Sequence, residues 1–137
     1  MRKKLGSNGV TFFGETLYTE TFCVAAPQEY AGKNPETLKK VLRALIKAET
    51  FVKRHPEDSR RLVAEFTKTD KAIIEDTWDV FTFEVLLDQG LLVNFEDQTR
   101  WVIKNRLAIR TDLPNYLDFI SDNALRSVKP EAVRIVR

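Results

Sequence analysis

The spacing of apolar residues is most regular between Asn34 and Arg54, where it predicts a helix with one apolar face. Asn34 can cap the first turn through its side chain, and Pro35 suits the first helical position because its missing N–H costs nothing there. Apolar side chains recur at three- and four-residue steps, at Leu38, Val41, Leu42, Leu45, Ala48 and Val52, with Ala44 and Phe51 at the margins. Basic side chains occupy the opposite side, at Lys39, Lys40, Arg43, Lys47 and Arg54.

Further helix start signals follow this segment. His55-Pro56-Glu57-Asp58 repeats the pattern of Asn34-Pro35-Glu36-Thr37, which predicts a sharp corner and a short second helix. Asp70 is placed to cap a third helix with Ile73, Ile74, Trp78 and Phe81 on one face. We expect later helices to begin at Asn94, at Pro114 and after Ser121-Asp122, and the last of them to end at Lys129-Pro130.

The amino-terminal part of the chain has strand-like patterns instead. Val10 to Phe13 is a short apolar run, and Thr19 to Ala26 alternates before it becomes continuously apolar, with Pro27 ending it. Phe81 to Leu87 is either a strand or the extended tail of the third helix. The predicted fold class is therefore α/β and helix-rich, with two or three short strands followed by about five helices. So few strands make a marginal sheet unless another segment completes it.

Composition is that of an ordinary soluble domain. The chain has 137 residues, of which 43% are hydrophobic and 31% charged, and its formal net charge is only +2. A nucleic-acid-binding protein usually has a larger and more segregated basic excess. No apolar run is long enough to cross a bilayer, and the basic start at Met1 is followed by Gly6 and Ser7, so we predict no signal peptide.

Candidate chemistry is sparse. The single Cys23 excludes an internal disulfide and is expected to be a buried, inert thiol, while His55 has no partner at a spacing typical of a catalytic triad or metal site. No phosphate-binding glycine loop or nucleophile elbow is present. These residues alone indicate no particular reaction, and we predict no cofactor and no metal. The candidate ligand-binding residues form one polar cluster between the predicted strands, at Glu15, Thr16, Tyr18 and Thr19.

Three segments in this order resemble the C-terminal part of the solute-binding proteins of ABC importers, of the nitrate, sulfonate, taurine and thiamine-pyrimidine type. They cover most of the chain and follow an apolar strand: YAGKNPETLKKVLRALIKAETFVKRHPEDSRRLVAEF, WDVFTFEVLLDQGLLVNFEDQTRWVIKNRL and LPNYLDFISDNALRSVKPEAVRIV. The joint occurrence of NPET, HPED, LLDQGLL and KPEAV carries the resemblance.

The resemblance implies two α/β lobes with a solute held between them. Residues 1–26 would form a β-rich lobe junction and crossover strand, and residues 27–137 would be helices that clad the first lobe, whose sheet lies in an absent half. The implied function is capture of a small anionic or heteroaromatic solute, in the periplasm or at the outer face of the cytoplasmic membrane, for an ABC permease. Glu15, Thr16, Tyr18 and Thr19 match the lobe junction. The resemblance implies binding without chemistry. Some relatives are pyridoxal-phosphate-dependent enzymes with clustered histidine and cysteine residues, whereas His55 and Cys23 of this chain lie in segments that do not form such a cluster.

Two other interpretations are open from the sequence. One is a self-contained interaction domain in which the basic face of residues 34–54 docks an acidic partner. The other is a ligand-binding subunit completed by another chain. If the helices lack their sheet, their apolar faces need a different cover, so we expect the isolated chain to self-associate or exchange strands.

Overall fold

The structure, a computed structural model, describes residues 5–10 and 19–136. Within these ranges the α-helices are α1 (Gln28–Lys33), α2 (Pro35–Arg54), α3 (Pro56–Thr67), α4 (Lys71–Thr77), α5 (Gln89–Lys104) and α6 (Asn123–Val128). Short 3-10 helices lie at Gly6–Asn8, Trp78–Val80, Tyr116–Phe119 and Pro130–Ala132. No helix in the described part is both long and apolar enough to span a membrane.

The fold is all-α, and the predicted α/β class is wrong. Residues 19–26 form no strand, and Phe22 and Val24 are 78% and 66% exposed. Most of the other predicted strand, residues 11–13, lies outside the described residues. A strand exists only where a second backbone segment bonds to it, and alternation along the chain does not supply that segment. In the described ranges the one isolated pairing is a parallel bridge between Leu87 and Val133.

Local signals account for the starts of α2, α3 and α4. Pro35 and Pro56 occupy the first turns of α2 and α3, and the Asp70 carboxylate accepts a hydrogen bond from the Ala72 amide at 3.0 Å. The predicted side-chain cap at Asn34 is wrong. Its Nδ2 donates instead to the carbonyl of Tyr30 at 3.0 Å, so Asn34 satisfies the end of α1 and not the beginning of α2.

Helix α5 begins earlier than the sequence predicted. It starts at Gln89 and not at Asn94, because the Asp88 carboxylate accepts from the Gly90 amide at 3.0 Å. Gly90, expected to end the preceding segment, therefore lies inside the first turn. Residues 81–86, which precede this cap, belong to neither a helix nor a strand.

The best-packed region joins α2 and α6 to the two segments that meet at Leu87 and Val133. The Leu87 amide donates to the Ala132 carbonyl at 2.9 Å, and the Arg134 amide donates to the Leu87 carbonyl at 2.8 Å. Residues 85–92 and 122–135, with the face of α2 that they contact, are called the C-terminal block below. Most of the buried apolar residues belong to it: Leu92, Leu125, Ala132 and Ile135.

Outside the C-terminal block, much apolar surface is uncovered. The accessible surface of the chain is 11,355 Å², whereas a compact monomer of this mass exposes about 7,300 Å². Val41 and Leu45, predicted as core positions of α2, are 42% and 38% exposed, and Phe66 of α3 is almost fully exposed. The helices thus meet each other along narrow contacts and leave a large apolar area without a second layer.

Candidate functional site

Of the four predicted ligand-binding residues, only Thr19 lies within the described residues; Glu15, Thr16 and Tyr18 lie outside them. Thr19 is exposed, and its carbonyl accepts a hydrogen bond from Nδ2 of Asn94 at 3.1 Å. Oδ1 of Asn94 in turn accepts from Nε2 of Gln98 at 2.7 Å. Thr19 is therefore attached to α5 beside a cavity that Gln98 helps to line.

This cavity, called the α5 cavity, has a volume of about 340 Å³ and lies between α5 and the segment that follows it. Its size is in the range of small-molecule sites in proteins. The helix contributes residues spaced as one helical face, and residues 108–116 close the other side. The lining residues are Phe95, Gln98, Thr99, Val102, Ile103, Ala108, Arg110, Asp112, Pro114 and Tyr116.

A tight chain reversal after α5 creates the cavity. Arg106 has a φ of 57°, in the left-handed region that a non-glycine residue rarely adopts, and the Leu107 amide bonds back to the Val102 carbonyl at 3.0 Å. The chain then returns along the helix toward Pro114. The cavity wall is thus formed by local chain geometry and by the periodic face of α5.

Aromatic rings form one wall of the cavity. The ring centroids of Phe95 and Tyr116 lie 5.3 Å apart, with the planes inclined by 42°. The Tyr116 hydroxyl is hydrogen-bonded to the Thr99 hydroxyl, which holds the ring against α5. A flat, conjugated ligand could stack on such a wall, because ring faces and edges attract each other in offset or tilted arrangements.

An ion pair lies at the rim. Arg110 donates from Nε to Oδ1 of Asp112 at 3.2 Å and from Nη2 to Oδ2 at 2.6 Å. The hydrogen bond from Arg110 holds the pKa of Asp112 below its usual value, and the same bond raises the pKa of Arg110. A guanidinium has five N–H groups, and this pair uses two of them, so Arg110 can still donate to an anion in the cavity.

A second, more apolar groove of about 280 Å³ lies between α3 and α4. Trp78 and Phe83 stack in it with centroids 4.8 Å apart, and the guanidinium carbon of Arg60 lies 5.7 Å from the Trp78 ring centroid. The remaining lining residues are Val63, Thr67, Thr69, Ile74, Thr77 and Phe81. Because none of its described lining residues carries a charge, this groove offers less to a charged solute than the α5 cavity does.

Sequence reasoning missed the polar centre of the C-terminal block. The Glu49 carboxylate accepts from Lys53 Nζ at 2.7 Å, Lys129 Nζ at 2.9 Å and the Val85 amide at 3.1 Å. Burial alone would raise the pKa of Glu49, but these hydrogen bonds outweigh it and lower the pKa to about 2. A signal was present, since Glu49 falls on the apolar side of α2 between Leu45 and Val52.

The other singled-out residues form no catalytic group. Cys23 is exposed, which corrects the expectation of a buried thiol: the strand that would have buried it is not formed. The His55 ring contacts the Phe51 ring at 4.9 Å between centroids. No cluster of three histidine, cysteine, aspartate or glutamate residues suited to a metal ion occurs in residues 5–10 and 19–136.

Comparison of the chain with protein-family models, with curated proteins and with solved structures found no match. The function therefore has to be inferred from the residues and their geometry.

Proposed function

We propose that the chain is part of the substrate-binding component of an ABC importer. It binds a small anionic or heteroaromatic solute together with another polypeptide layer that covers its apolar surface. The observation that carries the proposal is the exposed area, about half as large again as that of a compact monomer. The importer class is inferred from the resemblance, which is carried by NPET, HPED and KPEAV in this order along the chain.

The amount of uncovered surface indicates the kind of cover. The total area of the chain, polar and apolar together, exceeds that of a compact monomer by about 4,000 Å², and the exposed side chains of Val41, Leu45 and Phe66 contribute to it. Each partner in a standard protein interface buries about 800 Å². A transient partner would therefore leave most of the excess exposed. Another polypeptide layer of domain size would account for it.

The α5 cavity supports the solute class. Phe95 and Tyr116 offer aromatic surface to a flat ring, and Arg110 offers free N–H groups to an anionic substituent. Thr19, from the predicted lobe junction, is connected to the same helix through Asn94. Under this proposal the protein acts in the periplasm or at the outer face of the cytoplasmic membrane and delivers its solute to a permease.

The first experiment examines the missing layer. The chain is produced alone and together with the polypeptide encoded directly upstream, and both samples are measured by size-exclusion chromatography with light scattering. We expect self-association and binding of a hydrophobic dye for the chain alone, and a defined one-to-one complex without dye binding for the pair. A chain that alone is a monodisperse, cooperatively unfolding monomer contradicts the proposal and favours a self-contained domain.

The second experiment examines the solute site in that complex. Nitrate, taurine and a hydroxymethylpyrimidine are titrated while the thermal unfolding midpoint is recorded, since a ligand of the folded state raises it. We expect Arg110→Gln and Tyr116→Leu to remove the rise. Arg100→Gln is the matched control, because Arg100 lies on α5 but does not line the cavity. A rise that survives in both cavity variants would place the solute elsewhere.

A further inference from the structure

The groove between α3 and α4, called the α3–α4 groove below, is lined by two helix faces that meet at an aromatic cluster. Val63 and Thr67 lie on α3 one helical turn apart. The lining residues from α4 onward follow the i, i+3, i+4, i+7 pattern of one helical face, at Ile74, Thr77, Trp78 and Phe81. The volume is about 280 Å³, whereas an apolar protein cavity of about 150 Å³ already accepts benzene. The groove can therefore hold one aromatic ring with a short substituent.

The aromatic rings of this cluster contact one another and leave part of their surface uncovered. The centroids of Trp78 and Phe83 lie 4.8 Å apart with the planes inclined by 34°, and those of Phe81 and Phe83 lie 6.2 Å apart. Arg60, whose Nη2 donates to Glu57, lies over the Trp78 ring. Phe81 is 51% exposed, so the cluster still offers another ring the tilted or offset contact that aromatic rings prefer.

The threonine hydroxyls of the groove use their own protons inside the protein. Thr67 donates to the Val63 carbonyl at 2.7 Å, and Thr77 donates to the Ile73 carbonyl at 2.8 Å, which is a common bond for threonine within a helix. The Thr69 hydroxyl lies 2.9 Å from the Thr67 hydroxyl and 3.5 Å from the Thr67 carbonyl, so its proton also has an acceptor nearby. A hydroxyl has one proton and two lone pairs, so these oxygens can accept a hydrogen bond from a ligand but have no proton left to donate.

The rest of the lining determines the charge of the ligand. None of the described lining residues is charged, so a charged ligand would lose water without gaining a counter-ion. Arg60 is already paired with Glu57 and offers little attraction to an anion. The Trp78 indole N–H is a donor, and a phenolic hydroxyl suits both kinds of group because it can donate to a threonine oxygen and accept from an N–H. The lining thus favours a neutral hydroxylated ring over a carboxylate, an ammonium ion or a plain hydrocarbon.

We propose that the α3–α4 groove is a binding site for a small neutral phenol, whose ring contacts Trp78 and Phe83 and whose hydroxyl donates to a threonine oxygen. The groove is separate from the α5 cavity, with which it shares no described lining residue. The inference therefore depends neither on the importer class nor on the solute of the α5 cavity.

The test uses the tryptophan fluorescence of the 137-residue protein, because one of its two tryptophans lines the groove. Trp101→Phe removes the other, which is 59% exposed, and leaves Trp78 as the reporter. Excitation at the red edge of tryptophan absorption avoids the absorption of phenols. Titration with para-ethylphenol should shift the Trp78 emission saturably, with a Kd on the order of 0.1–1 mM for so small a ligand. In Trp78→Phe, where Trp101 reports, no saturable shift is expected.

Two further ligands separate the proposed chemistry from simple partitioning into apolar surface. The methyl ether para-ethylanisole keeps the ring but has no proton to donate. It should bind about three- to tenfold more weakly, which corresponds to the loss of one hydrogen bond. Phenylacetate, an anion of similar size, should bind more weakly still. Partitioning alone would instead favour the ether, since it is the least polar of the three.

Substitutions of threonine locate the acceptor. Thr67→Val, Thr69→Val and Thr77→Val each remove one hydroxyl, and at least one of them should weaken binding of para-ethylphenol about three- to tenfold without affecting the ether. Thr50→Val is the matched control. Thr50 donates to the Ile46 carbonyl at 2.9 Å in the same way, but it lies on α2 and is not among the described lining residues. Its substitution should leave both affinities unchanged.

Several results would overturn the assignment. They are the absence of a saturable shift of the Trp78 emission, equal binding of the phenol and its ether, and a loss in Thr50→Val as large as in any groove variant. If the polypeptide encoded directly upstream shifts the Trp78 emission and abolishes its response to phenol, the groove is an interface with that polypeptide instead. Circular dichroism identifies a threonine variant that fails to fold; the comparison of the three ligands on Trp101→Phe then decides, since it needs no substitution in the groove.

Discussion

The C-terminal block and the amino-terminal segment of residues 19–33 contain similar apolar residues but bury them very differently. Ala132 and Ile135 in the block are 2% and 7% exposed, whereas Phe22 and Val24 stand out into solvent. The block has hydrogen bonds between residues far apart in sequence, centred on Glu49, Lys129 and Leu87. The amino-terminal segment has one described side-chain bond of this kind, from Asn94 to Thr19.

The difference shows what apolar sequence alone leaves undecided. Hydrophobic attraction is non-directional, so it favours burial without choosing a partner. In the C-terminal block the directional choice is made by a carboxylate, an ammonium group and a few backbone groups that satisfy one another. Where such bonds are missing, the apolar residues are exposed and available to another polypeptide.

The largest effect is expected when the polar centre of the block is broken. In Glu49→Ala, Lys129 loses one of its two oxygen partners although its side chain is only 15% exposed. The Val85 amide loses its acceptor as well. Breaking a fully buried pair costs about 3–5 kcal/mol, and the loss here should lie near the lower value because both side chains are partly exposed. Urea unfolding monitored by circular dichroism should show the loss. Glu84→Ala, an exposed acid nearby, is the control; a loss of similar size there would refute the special role of Glu49.

Leu125→Ala should have the next largest effect. Leu125 is buried in α6 against α2, and truncating a buried leucine costs about 2–5 kcal/mol. Leu107→Ala, at a position that is mostly exposed after α5, should change the free energy of unfolding by less than about 0.5 kcal/mol. Equal effects of the two substitutions would mean that the block is no better packed than its surroundings.

Acid should weaken the block selectively. The folded-state pKa of Glu49 is about 2, below its ordinary value of 4.5, so the folded state binds this proton less readily than the unfolded state. The stabilisation is complete above about pH 5 and is lost as the pH falls toward 2, by up to about 3 kcal/mol. Unfolding curves at pH 7, 5 and 3 measure this loss. Glu49→Gln should flatten the dependence, and an unchanged slope would exclude Glu49 as its source.

A smaller contrast is expected between two helix starts outside the block. Asp70→Ala removes the side-chain acceptor of the Ala72 amide and should cost about 1 kcal/mol. Asn34→Ala removes no such cap, so its effect on the start of α2 should be smaller. Thermal unfolding of both variants measures the difference. A larger loss for Asn34 would show that its bond to the Tyr30 carbonyl matters more than the Asp70 cap.

The smallest effect on stability is expected in the exposed amino-terminal segment. Phe22→Ser should alter the free energy of unfolding by less than about 0.5 kcal/mol, because the ring is already in solvent. It should nevertheless reduce self-association, which light scattering at several protein concentrations will measure. Ser127→Ala, which removes a polar group and adds no apolar surface of note, serves as the control. A loss of stability at Phe22 would mean that this segment is packed after all.

The elements that the sequence predicted well are those decided within one or two helical turns. Pro35, Pro56 and Asp70 mark their helix starts with local chemistry, and the structure agrees at all three. The strand at residues 19–26 failed because pairing requires a distant backbone that alternation cannot reveal. The start of α5 was misplaced because Gly90 was interpreted as a breaker, although the Asp88 carboxylate makes it a suitable first-turn residue.

The site was less predictable than the helices. The α5 cavity depends on the left-handed conformation at Arg106 and on the return of the chain to Tyr116, neither of which has a local sequence signature. Glu49 and Lys129 are 80 positions apart in sequence, so the only local sign of the pair was an acidic residue on the apolar side of α2. Thr19, the one predicted contact that the structure describes, lies beside the cavity and does not line it.

The bond between Glu49 and Lys129 has a consequence for biosynthesis. The two residues are 80 positions apart, and a ribosome adds about 5–20 residues per second. A nascent chain therefore carries α2 for about 4–16 s before Lys129, which donates to the Glu49 carboxylate, has been synthesised. During that time α2 lacks α6, against which it packs in the C-terminal block, and a chaperone that holds amphipathic helices would have its clearest substrate here.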